Sequence, residues 1–146
     1  MGSAILKGAL AIAAGLAGGA PACAEEALVD ERPLLLELNG AQPSEKGCRL
    51  TFLVKNDLGP DLNEAGFEIA LFDDQGVVTT LAVLAFQDLT AGKTKVTRFD
   101  LSGVDCARLS RVLVNHATQC KGDGVEPATC MRNLKTATKT KIEFGA

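Results

Sequence analysis

Residues 48–56 read CRLTFLVKN, and this stretch decides the fold. Apolar residues occupy every second position of it: Cys48, Leu50, Phe52 and Val54. Arg49, Thr51 and Lys55 lie at positions between them. Such period-two alternation is typical of a strand that turns one face to a core and the other to water. The stretch therefore predicts a β-strand with a cysteine at its first core-facing position.

Similar apolar and β-branched stretches along the chain predict about seven short strands separated by turns. They are expected at 34–38, 48–56, 67–73, 77–86, 94–101, 111–117 and 136–144. Residues 57–66 predict a turn-rich connector, although 61–72 could instead form a short helix. The last strand is expected to place Thr138, Thr140, Ile142 and Phe144 on one face. This spacing predicts an all-β fold, an antiparallel sandwich of the immunoglobulin or fibronectin type.

The first 24 residues differ in composition from the rest of the chain. They carry one charged residue, Lys7, in a run of Ala, Leu, Ile and Gly that ends in Ala22-Cys23-Ala24. A basic start, an apolar stretch and a small-x-small end predict a secretory signal peptide, cleaved after Ala24. Cys23 lacks the leucine-type residue that precedes a lipoprotein cysteine by three positions. A discarded leader cysteine is therefore preferred to a lipid anchor.

Cleavage there would leave a flexible arm at 25–33 and a single sandwich domain at 34–146. The leader composition is typical of bacteria, so the predicted location is the periplasm or the exterior. Removal of Lys7 from the 15 basic residues leaves 14 against 18 acidic ones, a net charge of −4. Mild acidity argues against nucleic-acid binding, which requires clustered positive charge. No later apolar run is long enough to predict a transmembrane segment.

Four cysteines follow the leader: Cys48, Cys106, Cys120 and Cys130. An even number in an exported chain predicts two disulfides, for which three pairings are possible. We favour Cys48–Cys106 with Cys120–Cys130, because the core-facing position of Cys48 suits a bridge between sheets. No Cys-x-x-Cys occurs, which argues against a thioredoxin-type pair or a zinc ribbon. The sequence predicts neither a metal site nor a cofactor.

The turns and core positions carry a resemblance to a known class of domain. FLVKNDLGPDLNEAGFEIALFDDQGVV at 52–78 and LTAGKTKVTRFDL at 89–101 resemble small exported immunoglobulin-like domains of bacteria. The pattern also resembles that of short exported proteins of alphaproteobacteria whose function is not assigned. The resemblance covers about residues 48–101. Because the resemblance consists of turn and core residues, it implies a sandwich fold and no active site.

Three regions are candidates for function. The segment 121–129, between two cysteines, could meet a partner through Lys121, Asp123 and Glu126. The carboxy-terminal lysines Lys139 and Lys141 could meet an acidic partner, although lysines also protect sheet edges from pairing. The single histidine, His116, could serve a hydrolase or a ligand-carrying domain, but Ser102 and Ser110 lie in no nucleophile motif.

These observations predict an exported, non-enzymatic binding or accessory protein of the bacterial cell envelope. We expect it to act through protein–protein contact with an envelope partner, for example by strand addition to a sheet edge. Two alternatives stay open. One is a small periplasmic hydrolase or ligand carrier that uses His116, and the other is a secreted inhibitor that presents the loop 121–129.

Overall fold

The computed structural model describes residues 1–2 and 31–146, which form eight strands and one short helix. The strands are β1 Leu34–Pro43, β2 Gly47–Asn56, β3 Leu62–Asp73, β4 Val78–Leu89, β5 Thr94–Ser102, β6 Leu109–Lys121, β7 Leu134–Thr138 and β8 Glu143–Gly145. Helix α1, Thr129–Arg132, precedes β7. The predicted signal peptide and arm lie outside the described residues, except for 1–2 and 31–33. No helix in the described part is long and apolar enough to cross a membrane.

The strands form two four-stranded sheets, so the predicted two-sheet β fold is confirmed. Sheet A has the order β5-β2-β1-β7, and sheet B has the order β4-β3-β6-β8. All pairings are antiparallel except two at the edges, where β7 runs parallel to β1 and β8 runs parallel to β6. Four strands therefore form the edges of the described sheets: β5, β7, β4 and β8.

The alternation in β2 explains how the sheets face each other. Every second residue is buried, from Cys48 through Asn56, while the residues between them are half-buried. Phe52 lies near the middle of this row, and its ring makes edge contacts with Phe86 of β4 and Phe144 of β8, at centroid distances of 5.8 and 5.5 Å. Because Phe86 and Phe144 belong to sheet B, these ring contacts fill the space between the sheets.

Both predicted disulfides are present. Cys48 is bonded to Cys106 across a sequence separation of 58, and Cys120 is bonded to Cys130 across a separation of 10. Cys106 lies in the loop that carries the chain from β5 in sheet A to β6 in sheet B. The first bridge therefore connects a strand with a crossing loop, and the second connects the end of β6 with α1.

Residues 62–66 are strand and neither a connector nor a helix. They begin β3, which pairs with β4 and β6 at once: Ala65 lies opposite Phe86 on one side and Cys120 on the other. Gly66 lies close to β6, where an added Cβ would lie 2.6 Å from Thr118 Oγ1. A central strand with two neighbours thus overrides the weak β-propensity of Asn, Glu, Ala and Gly.

The predicted strand 136–144 is two strands in different sheets. β7 ends at Thr138, and the chain then turns and crosses to sheet B, where β8 begins at Glu143. The turn is closed by Thr140, whose backbone N–H donates to Thr138 Oγ1 at 3.1 Å. Its hydroxyl oxygen accepts a bond from the N–H of Ile142 at 3.0 Å. Hydroxyl–backbone bonds of this kind compete with the strand ladder, and here they end it.

Candidate functional site

The most exposed apolar surface of the described sandwich lies on β4, at the edge of sheet B. Three large apolar side chains of β4 are about half exposed, Val78 (48%), Leu81 (59%) and Val83 (58%), and so is Val77 (55%), directly before the strand. Leu84 and Phe86 are buried, so the face of β4 that carries them packs against the core and the face that carries Leu81 and Val83 is exposed. We call these four side chains, together with the open edge of β4, the β4 surface.

The apolar character continues inward from β4 over the outer face of sheet B. Leu81 lies opposite Ala70 of β3, and Ala70 lies opposite Leu113 of β6. Ala70 is buried and Leu113 is half-buried. This row of three therefore extends the β4 surface across three strands. Phe72, nearer the end of β3, is covered instead by the guanidinium of Arg111, 5.4 Å from its ring centroid.

β4 differs from the other three edge strands in length and charge. It has twelve residues, none of them Lys or Arg, and residues 75–87 carry no charge at all. β5 carries Lys95 and Arg98, while β7 and β8 have only five and three residues. Charged side chains and short length are the usual ways by which proteins prevent edge-to-edge pairing. β4 has neither along most of its length.

One end of the β4 edge is blocked by a neighbouring lysine. Lys95 Nζ, from β5, donates to the carbonyl of Gln87 at 2.6 Å. That carbonyl therefore turns away from β3, and strand alternation places the backbone groups of Ala85, Val83 and Leu81 on the same open side. Asp88, just beyond, has a positive φ of 53°, which bends the strand after Gln87. The open segment accordingly ends near residue 86.

The other end of β4 is fixed by a tight turn. Asp73 Oδ1 accepts bonds from the N–H groups of Gln75 and Val77, both at 2.9 Å. The bond from Val77 is the main reason that the pKa of Asp73 lies below its ordinary value. Arg108 Nη2 lies 3.8 Å from Asp73 Oδ2 and 3.5 Å from Asp74 Oδ1. This turn orients Val77 and Val78 at the start of the edge.

His116 lies on the outer face of sheet B, with 56% of its side chain exposed. A register shift in β6 opposite Glu68 directs both Asn115 and His116 to that face. Glu68 Oε1 accepts a bond from Asn115 Nδ2 at 2.7 Å and lies 3.7 Å from His116 Nδ1. The hydroxyl of Ser110, which was considered as a nucleophile, donates instead to the backbone carbonyls of Phe72 and Asp73. Because Glu68 also lies opposite Val83 of β4, the polar cluster of Glu68, Asn115 and His116 borders the β4 surface.

Within the segment 121–129, Lys121 ends β6, Thr129 begins α1, and 122–128 form a loop that packs against the domain on its inner side. Gly122 approaches the start of β3 so closely that an added Cβ would overlap the carbonyl oxygen of Asp61. Val125 is half-buried and packs against the core. The candidate contact residues Lys121, Asp123 and Glu126 are exposed on its outer side.

Lys139 and Lys141 are exposed in the turn between β7 and β8. The strand that follows pairs Glu143 with Arg111, near the start of β6, whereas Lys121 lies at the end of β6. The five candidate contact residues therefore form two separate groups at opposite ends of that strand. The structure does not bring them together into one site.

Sequence reasoning missed the β4 surface. The stretch VVTTLAVLAF is apolar at both parities, which is the pattern of a strand buried on both faces. Its lack of charge over 75–87 was the available signal, because an uncharged edge differs from the usual edge composition. That signal has meaning only once the strand is known to lie at an edge.

No protein family, curated protein or solved structure was found to match the chain.

Proposed function

We propose that the protein is an exported, non-enzymatic binding or accessory protein of the bacterial cell envelope that acts through protein–protein contact at the β4 surface. The observation that carries the proposal is the set of four half-exposed apolar side chains on, and directly before, the longest edge strand. Exposed apolar patches commonly mark interaction sites. An open edge adds main-chain donors and acceptors for an extended partner strand.

The two disulfides support the exported location. Disulfides persist in oxidising compartments and are rare in the cytosol. Both bridges connect segments that border the core, since Cys48 and Cys130 are fully buried. Such bridges stabilise the fold and leave the outer face of sheet B available for contact.

Site-specific photo-crosslinking in the bacterial envelope tests the proposal. Benzoylphenylalanine replaces Val83 in the full chain, and the matched control carries it at Val96, an equally exposed valine on β5. We expect crosslinked protein from position 83 and none from position 96. Adducts at both positions, or at neither, would contradict a contact at the β4 surface.

The same experiment addresses the alternatives through two further positions. Crosslinks confined to Glu126 would favour an inhibitor that presents the loop 121–129. Crosslinks confined to Lys141 would favour contact through the carboxy-terminal lysines. Either result would place the contact outside the β4 surface and overturn its assignment.

A further inference from the structure

We infer that the strand accepted by the β4 surface is β4 of a second copy, so that two molecules pair edge to edge about a two-fold axis. The inference rests on the proposed function and names its partner. In this arrangement the two copies of sheet B become one eight-stranded sheet, in which the row formed by Leu113, Ala70 and Leu81 of one copy ends against Val83 of the other.

The order of side chains along β4 suits pairing with itself. With the axis beside Ala82, Leu81 of one copy lies opposite Val83 of the other, and Thr79 lies opposite Ala85. Apolar and β-branched pairs of this kind are favourable across antiparallel strands. A closed two-fold contact needs a surface that complements itself, and this register supplies one.

The distribution of charge along the β4 edge also favours a second copy as the partner. Two copies have the same net charge, so their contact is favourable only where the facing surfaces are neutral or opposite in sign. Residues 75–87 are neutral. At one end of the open edge lies Asp74, with 58% of its side chain exposed, and at the other end Lys95 contacts Gln87. Antiparallel pairing brings Asp74 of each copy toward Lys95 of the other.

The size of the surface sets the expected strength. The contact is one strand wide and has four half-exposed apolar side chains on each copy. We therefore expect a buried area near the lower limit of about 1,000 Å² for a specific interface. Weak association follows, and we expect a monomer–dimer equilibrium that is visible between about 1 μM and about 1 mM.

Sedimentation equilibrium over that range tests the inference on protein purified from the periplasm of a bacterial host that expresses the full chain. We expect V83K to weaken dimerisation about tenfold or more, because it puts two like charges beside the axis. V96K should dimerise like the wild type. Circular dichroism checks that both variants fold, which their exposed positions favour. In addition, deuterium uptake over 77–86 should fall as the concentration rises.

Three results would overturn the inference: a wild type that is monomeric at all concentrations, V83K that dimerises normally, or protection from exchange outside 77–86. The crosslinks at Val83 separate this failure from failure of the proposed function. If the wild type is monomeric but position 83 crosslinks to a different envelope protein, the proposed function stands and only self-pairing is wrong. If position 83 also gives no adduct, both are wrong.

Discussion

The side-chain amide of Asn56, at the end of β2, donates to the backbone carbonyl of Leu89, at the end of β4, at 2.9 Å. Asn56 is fully buried and is the only buried polar or charged residue in the described part of the chain. Its Nδ2 also donates to the carbonyl of Pro60 at 2.9 Å, and its Oδ1 accepts the N–H of Leu58 at 3.1 Å. One asparagine thus connects both sheets with the loop between them.

Replacement of Asn56 by alanine should lower the free energy of unfolding by about 2–4 kcal/mol, because three backbone groups lose their partner and two of those bonds are buried. Urea unfolding measures the change. Asn39→Ala is the matched control, since Asn39 is exposed and donates only to Glu37 in its own strand. We expect the control to stay within about 0.5 kcal/mol of the wild type. If both substitutions lowered the free energy of unfolding equally, the buried hydrogen bonds of Asn56 would add no more stability than the exposed bond of Asn39.

Removal of the two disulfides should have unequal effects. The Cys48–Cys106 bridge closes the longer loop, with a separation of 58 against 10 for Cys120–Cys130. In the chain-entropy model this corresponds to about 4 kcal/mol for the longer loop and about 3 kcal/mol for the shorter one. Urea unfolding of C48A/C106A and of C120A/C130A compares them. A larger loss from C120A/C130A would contradict the order given by loop length.

We expect substitution by alanine to destabilise the fold at Gly47 and to be tolerated at Gly40, both in the β1–β2 hairpin. A Cβ at Gly47 would overlap the carbonyl oxygen of Leu101 in β5, whereas a Cβ at Gly40 meets only Thr51 Cβ, at 3.8 Å. We expect G47A to cost about 1–3 kcal/mol, as overpacking does, and G40A to change stability by less than about 0.5 kcal/mol. Thermal unfolding measures both variants. A well-tolerated G47A would mean that β5 moves away from the hairpin at little cost.

Acid should destabilise the fold through Asp73 and Asp100. Val77 N–H lowers the pKa of Asp73, and hydrogen bonds from Arg49 Nε and Nη2, at 2.9 and 3.0 Å, lower the pKa of Asp100. Both carboxyls therefore bind protons more weakly in the folded than in the unfolded chain. Their stabilisation is complete above the unfolded pKa, near 3.8, and is lost as the pH falls through the lower folded values.

The variant D73N/D100N measures this contribution. The amide that replaces the carboxylate of Asp73 keeps an oxygen that can accept from Gln75 and Val77, so the turn is preserved while the titrating group is removed. We expect urea unfolding between pH 5 and pH 2 to show a shallower loss of stability in the variant than in the wild type. Identical slopes would assign the acid sensitivity to other carboxyls.

How much of this molecule could be predicted depends on where the information lies. The alternation of β2 and the favoured cysteine pairing are confirmed. Both predictions depend on local sequence, because the residues on either side of Cys48 show that its side chain faces the core. The start of β3 was missed because Ala65 is held in a strand by Phe86 and Cys120, which are distant in sequence. The β4 surface was missed because the position of a strand within a sheet leaves no local pattern.

The parallel pairing of β1 with β7 places Leu34 beside Leu134. β1 therefore precedes its second neighbour, β7, by about a hundred residues in the chain. Until β7 pairs with it, β1 is itself an edge strand of sheet A. Such distant pairings slow folding, because the loop must close before the contact is made. We therefore expect the pairing of β7 with β1, which completes sheet A, to form late in folding.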